Sequence, residues 1–249
     1  MKIMVLIAGV LDPKWPVKPV AGGLPLRSGD RLLLSPFDEA ALELALKIRD
    51  ARPDFELSAI VAGGSEGEKL ARSICALHVA DVSTLALPDA WDQAATAQRL
   101  AQAAHGADLI LIGREFGDCD DGLVPPMLAA ILGLPFFGRA QVVQAEPDVR
   151  LMREAGSHEE WLTVDRPLVV SATNDRRNRL RKPLMKNVMQ ARQARIAHRD
   201  AGPVAATGLQ LAGSAGLACA RSGTDCRMIE GNVQEQAHAL AALLWGERV

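Results

Sequence analysis

The sequence predicts an α/β protein whose parallel sheet is covered by helices on both faces. Three observations carry that prediction. Apolar runs at 2–9 (KIMVLIAG) and 108–113 (DLILIG) read as strands buried on both sides. Amphipathic stretches of helical length lie between such runs. Strand and helix then alternate from the N-terminus to about residue 132, the grammar of parallel β–α units.

The first strand stops at Gly9 and is followed by Pro13, Pro16 and Pro19. A short run, Leu32 to Leu34, leads into Ser35-Pro36-Phe37-Asp38. Ser35 can cap a helix, Pro36 suits its first position, and Asp38 completes a capping-box spacing. Ala41, Leu44, Ala45 and Ile48 then recur on one helical face. Leu57–Ala62 reads as a strand, Gly63-Gly64 as a turn and Ser65–Leu77 as a helix. Ser83–Leu87 is a strand, Trp91–Ala104 a helix, Asp108–Gly113 a strand and Pro126–Leu132 a helix.

After Pro135 the pattern changes. Segments near 139–145, 149–155 and 160–164 alternate as short antiparallel strands do, and Pro167–Ala172 (PLVVSA) returns to a buried strand. A helix is expected from about Pro183 to Ala194. Residues 200–224, rich in Gly, Ala and Ser, read as an extended arm. Asn232 and Glu235 signal the start of a last helix with Val233, Ala237, Leu240, Ala241 and Leu244 on one stripe. Reached through an arm, that helix could pack on its own domain or on another chain. The expected division is an α/β nucleotide-binding domain at 1–199, then an arm and terminal helix at 200–249.

Composition narrows the function. With 49% hydrophobic and 23% charged residues, the chain of 249 has an ordinary globular balance. The N-terminal apolar run is too short to span a bilayer and has no cleavage signal, so no membrane insertion and a cytoplasmic location are expected. Cys75, Cys119, Cys219 and Cys226 form no CxxC pair, and His78, His105, His158, His198 and His238 are dispersed. No HExxH or Gly-x-Ser-x-Gly pattern occurs, which sets aside zinc hydrolases and acyl transfer. The isolated histidines read as surface or packing residues, and no metal site or catalytic residue is expected.

The net charge of −2 conceals an uneven distribution. Residues 176–199 hold nine Lys or Arg and no acid, leaving 19 basic against 30 acidic residues elsewhere. Such a segment is a solvated basic face or a docking surface for something acidic. It has no aromatic residue to stack on bases, so no nucleic-acid partner is expected.

In open α/β sheets ligands bind beyond the carboxyl ends of the strands. Four such ends are readable: Ala8-Gly9-Val10, the Ser35 turn, Ala62-Gly63-Gly64 and the loop after Gly113. That loop runs through Arg114, Asp118, Asp120 and Asp121 to prolines that open a helix. A helix N-terminus favours an anion such as phosphate, and Arg114 could add charge. The three aspartates repel phosphate unless they cap backbone groups or hold a metal. Gly63-Gly64-Ser65-Glu66-Gly67 is no GxGxxG and reads as a tight turn. Trp91, Trp161 and Trp245 fit packing positions, whereas Trp15, in a proline-rich loop beside a strand end, could meet a ligand or partner.

Ser35-Pro36-Phe37-Asp38-Glu39-Ala40-Ala41-Leu42-Glu43 resembles the Asn-Pro-Phe-Asp-Glu-x-Ala-Leu-Glu stretch of electron-transfer flavoprotein β subunits. DLILIG with the acidic loop, at 108–122, resembles that family's strand and Gly-Lys-Gln-x-x-Asp-x-Asp loop. Asn187-Val188-Met189-Gln190-Ala191-Arg192 resembles its Asn-Ile-Met-Lys-Ala-Lys helix. The three lie in the family's order and spacing, and the likeness covers roughly 1–197.

The resemblance implies a Rossmann-like domain in a heterodimer with an α subunit. FAD would sit mostly on α with β closing over it. The β subunit is an electron carrier with no substrate chemistry of its own, passing electrons from a flavin-dependent dehydrogenase to a quinone reductase or another acceptor. The family's β site holds AMP or, in bifurcating members, a second FAD. By position, the cofactor would contact Ala8, Gly9, Val10, Ser35 and Ala62. The same carry-over assigns it Gly113, Arg114, Asp118, Asp120, Gly122, Leu123, Val124, Pro125 and Pro126. Phe37 matches a phenylalanine that approaches the flavin. Arg179, Arg181, Lys182, Leu184, Met185 and Lys186 match the segment that recognises the dehydrogenase, with Leu184 or Met185 as its apolar anchor.

This chain departs from the pattern in places. Ala8-Gly9-Val10 stands where many members carry Lys or Arg, and Ser35 replaces Asn. Leu123-Val124-Pro125-Pro126 replaces Gln-Thr-Gly or Gln-Val-Gly-Pro. Leu123 lacks the amide, and Pro125 lacks both glycine's freedom and an N–H, which leaves nucleotide binding altered or lost. The alternative function is an adenine-nucleotide-binding enzyme or module on the same architecture; it needs a phosphate loop with catalytic Lys, Ser or His, and the sequence has none.

Overall fold

A computed structural model describes residues 1–14, 32–87, 91–209 and 228–245. Trp15, Pro16 and Pro19, most of the expected arm, and Cys219 and Cys226 lie outside the described residues. The chain divides into two compact units, Met1–Lys18 with Pro25–Ala212, and Pro19–Leu24 with Gly213–Val249.

The first unit is built on seven strands: β1 (Lys2–Ile7), β4 (Glu56–Ala62), β5 (Asp81–Leu85), β6 (Leu109–Gly113), β7 (Phe136–Ala140), β11 (Leu168–Ala172) and β12 (Ala197–Arg199). They form one sheet in the order β12-β5-β4-β1-β6-β11-β7, with every neighbouring pair parallel. Strand alternation sorts the side chains into two cores. Ile3, Val5, Ile7, Leu109 and Leu111 pack beneath α1 (Pro36–Ala51) and α2 (Glu68–Cys75). Leu6, Ala8, Ile110 and Ile112 pack on α3 (Gln93–Ala104) and α4 (Val124–Leu132). Helices therefore cover both faces, and the architecture is Rossmann-like α/β.

Two expected elements take different forms. The segment near 139–145 is not one antiparallel strand. Its first part is β7, on the parallel sheet, and its second is β8 (Val142–Gln144), which pairs antiparallel with β9 (Arg150–Ala155) and through it with β10 (His158–Thr163). Arg139 adopts φ 61°, a left-handed turn that period-two patterning does not reveal in a non-glycine residue, and its N–H is held by Ser171 Oγ at 3.0 Å. The helix expected at 65–77 begins as a 3-10 turn, Gly64–Gly67, before α2. A Cβ on Gly67 would stand 2.9 Å from the Ala62 carbonyl oxygen, so glycine lets that turn press on the end of β4.

The basic stretch does not stay on one face. From a 3-10 turn at Arg176–Asn178 it passes through α5 (Met185–Ala191), shorter than the helix expected, and ends in β12 at the far edge of the sheet. Residues 203–207 then run along α3. Gln102 donates to the Pro203 carbonyl at 2.9 Å, Ala205 N–H donates to Gln98 at 2.8 Å, and the Thr207 hydroxyl donates to Asp92.

In the second unit α6 (Val233–Trp245) has the expected cap: Asn232 Oδ1 accepts from the N–H groups of Gln234 and Glu235, both at 3.0 Å, and Glu235 accepts from Asn232 N–H at 2.9 Å. Its apolar residues Val233, Leu240, Leu243, Leu244 and Trp245 are exposed. Trp245 and Trp161 are thus exposed rather than packed, Trp161 lying under the Arg150 guanidinium at 5.1 Å. No helix among the described residues is long and apolar enough to cross a membrane.

Candidate functional site

From β1 the chain builds outward through β4 and β5, then crosses by way of α3 to β6 on the opposite side of β1. That reversal is the topological switch point, and its crevice lies beyond the carboxyl ends of β1 and β6.

One side of the crevice is the start of α1. Ser35 Oγ accepts the Asp38 N–H at 2.9 Å and Asp38 accepts the Ser35 N–H at 3.1 Å, completing the capping box. Asp38 does more than cap. Its fully buried carboxylate also accepts the N–H of Gly9 at 3.1 Å and of Ala8 at 3.4 Å, tying the end of β1 to the helix. Burial pushes its carboxyl up to about 6, against the opposing pull of those hydrogen bonds from Ser35, Gly9 and Ala8. The turn at Gly9 requires glycine: φ is +68°, and a Cβ would meet Leu70 Cδ2 at 2.7 Å. Val10 continues into β2 (Val10–Leu11), paired with β3 (Leu32–Leu33), and Ala62 is buried at the end of β4.

The other side is the loop after β6. Gly113 comes so close to α1 that a Cβ would lie 3.0 Å from Phe37 Cβ. Arg114 gives its N–H to the Ala172 carbonyl at 2.8 Å, while its exposed guanidinium leans over the half-buried Phe37 ring, 5.9 Å from the centroid. Asp118 accepts the Leu11 N–H at 3.2 Å, and Gln93 from α3 donates to the Cys119 carbonyl at 2.7 Å.

Asp120 is the buried member of the acidic trio. Its Oδ2 accepts the Phe116 N–H at 2.8 Å; its Oδ1 accepts from Gly122 at 2.9 Å, Leu123 at 2.8 Å and Val124 at 3.2 Å. The carboxylate thus occupies the N-terminus of α4, the position where sequence reasoning expects an anion. Leu123 is 51% exposed, and Val124 and Pro125 are buried.

Most of the sequence-derived positions therefore converge on this crevice. Sequence reasoning gave Asp38 only a capping role and gave Gln93 none. The proximity of the capping box to the Gly9 turn is a tertiary fact, invisible in a motif. Among the described residues no group of three His, Cys, Asp or Glu could hold a metal. A groove of about 680 Å³ lined by Lys2, Arg49, Phe55, Glu56, His78 and Asp81 lies at the opposite end of the strands, away from the switch point.

The basic segment is a second candidate surface. Arg181 is drawn inward: its guanidinium holds the buried Glu43 of α1 through Nη2 at 2.8 Å and Nε at 3.0 Å, and also Asp50, while its N–H donates to Glu43 at 3.1 Å. Those carboxylates raise the Arg181 pKa above its ordinary value. Arg177 is likewise engaged by Asp175 and Glu154; that arginine holds the Asp175 carboxyl down at about 2. Arg179, Lys182 and Lys186 are exposed and form no ion pair with described residues. Beside them Leu184 is 71% and Met185 75% exposed, with Met189 also exposed.

The family model for the electron transfer flavoprotein domain matches residues 26–204. A β subunit of electron transfer flavoprotein from Megasphaera elsdenii is 28% identical over 225 residues, covering 85% of this chain and 82% of that protein. The corresponding subunit from Syntrophomonas wolfei is 29% identical over 201 residues, 79% of each chain. The mitochondrial β subunit of Arabidopsis thaliana is 31% identical over 207 residues, 79% of this chain and 80% of its own.

Proposed function

The chain belongs to the electron transfer flavoprotein family, among its β subunits, and from that premise we propose that it pairs with an α subunit to hold FAD and relay electrons. A flavin-dependent dehydrogenase supplies the electrons, and a quinone reductase or comparable acceptor receives them. The bound flavin supplies the redox chemistry, taking up and releasing electrons. This chain's residues contribute position and access. Phe37 and Arg114 present a ring and a cation at the mouth of the switch-point crevice, where they fit an aromatic, anionic cofactor. Asp38 and Asp120 fix the backbone around them. Carriage alone, without substrate chemistry, is the part we assign to the protein.

The observation that carries this reading is the pair of opposed characters in one domain: a cofactor-end crevice stiffened by buried carboxylates, and a basic segment that leaves apolar anchors in solvent. Leu184 and Met185 are the most exposed large apolar residues among the described residues of the first unit. Three exposed cations that form no ion pair with described residues stand beside them, a combination suited to an acidic protein partner met transiently. We assign dehydrogenase recognition to Arg179, Lys182, Leu184, Met185 and Lys186, with Arg181 holding the segment in place. We further assign the exposed stripe of α6 to the α subunit.

Co-expression with an α subunit of this family tests the reading. A yellow one-to-one complex on gel filtration, with FAD released on denaturation, is the expected result. A colourless chain that ignores α would overturn it and bring forward an adenine-nucleotide enzyme.

A further inference from the structure

Resting on the family reading above, we propose that the outer side of α4, together with the start of β7, is a seat for the α subunit, in addition to the α6 stripe.

From Leu123 to Gly138 the chain reads LVPPMLAAILGLPFFG, sixteen residues without a polar or charged side chain. The inner side of α4 accounts for part of that run. Val124, Pro125, Leu128 and Ala129 are buried where the helix packs on α3 and β11. The outer side is apolar as well: Leu123, Met127, Ala130 and Ile131 recur at i, i+4, i+7 and i+8, with Leu123 51% and Ile131 46% exposed. A helix on a water-facing surface carries polar residues on its solvent side, and one that is apolar all round is covered by something.

Strand β7 extends the same face. Phe136 pairs with Val169 of the core beneath α4, and Phe137 with Val170 of the opposite core, so Phe136 points to the side that α4 covers. Its ring folds over Gly138, where a Cβ would stand 3.2 Å from Phe136 Cε1, yet it stays 40% exposed. Parallel strands are ordinarily buried on both faces. At this edge of the sheet the described residues leave that covering layer incomplete.

Charge and position identify the occupant. Permanent interfaces are more apolar than transient ones, so a face without charge suits a lasting partner. The surface assigned to the dehydrogenase is basic and lies beside α1, on the other side of the sheet. The lasting partner is the α subunit. Position agrees, because Asp120 holds the Leu123 N–H at the mouth of the crevice. The apolar stripe therefore begins where the subunit that shares the flavin arrives.

Hydroxyl-radical footprinting of the full chain, alone and in complex with its α subunit, reads side-chain access directly. Oxidation of Leu123, Met127, Ile131 and Phe136 is expected to fall severalfold in the complex, with Leu184 and Met185 as reactive as before. Unchanged oxidation of the four, or protection at Leu184 and Met185 in their place, would overturn the proposal. Protection of the four that grows with concentration in the chain alone would give the face to a second copy, and would overturn it too. Ile131→Glu with Phe136→Glu is expected to weaken α binding by about tenfold or more in calorimetric titration. Wild-type affinity in that variant, with its circular dichroism intact, counts against the seat; should the variant misfold, the wild-type footprint still decides. A wild-type chain that ignores α defeats the family reading itself, whereas normal binding with an unmoved footprint strikes this face alone.

Discussion

The crevice and the basic segment treat charge in opposite ways. At the crevice the decisive carboxylates, Asp38 and Asp120, are buried and saturated with backbone N–H groups. Among the charged residues from Arg179 to Lys186 only Arg181 is drawn inward, onto Glu43, and Arg179, Lys182 and Lys186 are left in water. Helix α1 joins the two regions, for it carries Phe37 and Asp38 at its start and Glu43 and Asp50 farther along. A buried, satisfied carboxylate fixes geometry at a cost in desolvation. An exposed cation fixes nothing, yet it acts over roughly a Debye length, about 10 Å in dilute salt. Holding a cofactor calls for the first arrangement, and meeting a transient partner calls for the second.

The comparison breaks most severely at Asp38. Asp38→Ala removes the acceptor for three N–H groups, one of them the Ser35 half of the capping box, and is expected to destabilise the fold by roughly 3 kcal/mol. Urea unfolding monitored by circular dichroism measures it; a loss below about 1 kcal/mol would mean that Asp38 does not hold the β1 turn. The same group predicts a pH dependence. Its folded pKa, about 6, lies above the ordinary 3.8, so its contribution is fully present below about pH 4 and is lost as pH rises through 6. Asp38→Asn should therefore gain on the wild type between about pH 4 and 7, by at most roughly 3 kcal/mol. Taking the difference between the two proteins matters, because Asp175 is held low and contributes in the opposite sense.

Glu43→Gln probes the link between the regions. Unpairing a buried ion pair costs about 3–5 kcal/mol when both partners are buried. Arg181 is 38% exposed, so roughly 2 kcal/mol is expected here after allowing for solvent screening. Flavin content should survive in the folded variant, while the KM for the dehydrogenase rises because the segment has lost its anchor. Unchanged KM would confine the pair to a purely structural role.

These regions were unequally legible in the sequence. The sheet and most helices follow from apolar runs and capping chemistry: Ser35-Pro36-Phe37-Asp38 places α1 correctly to its first residue. Alternation does not show the turn at Arg139, where a left-handed arginine redirects the chain from the parallel sheet to the antiparallel one. Strand β12 left no signal, because Ala197-His198-Arg199 is a short, mostly exposed edge without an apolar run. At the crevice, the residues were readable but their partners were not. Asp120 was visible as an acid near a helix start; that it reaches four N–H groups depends on a loop closed by Gly122 at φ +99°. Arg181 carried the same uncertainty, since nothing local says that a basic residue in a basic run will turn toward Glu43, 138 positions earlier.

That last contact sharpens the smallest expected effect on stability and chooses the residues for it. Reversing Arg181 would place a carboxylate against Glu43 and confuse folding with docking. Arg179 and Lys182 are exposed and make no ion pair with described residues, although the charge of Arg179 acts on Glu39, so Arg179→Glu with Lys182→Glu should move unfolding by less than about 1 kcal/mol. The flavin should remain bound. Electron delivery from the dehydrogenase, followed by stopped-flow reduction at low salt, should slow by roughly tenfold, because the reversal acts on the encounter. Added salt should narrow that gap as it screens both proteins. A gap that salt leaves unchanged would place recognition in the apolar contacts of Leu184 and Met185, and equal rates at low salt would remove the segment from docking altogether.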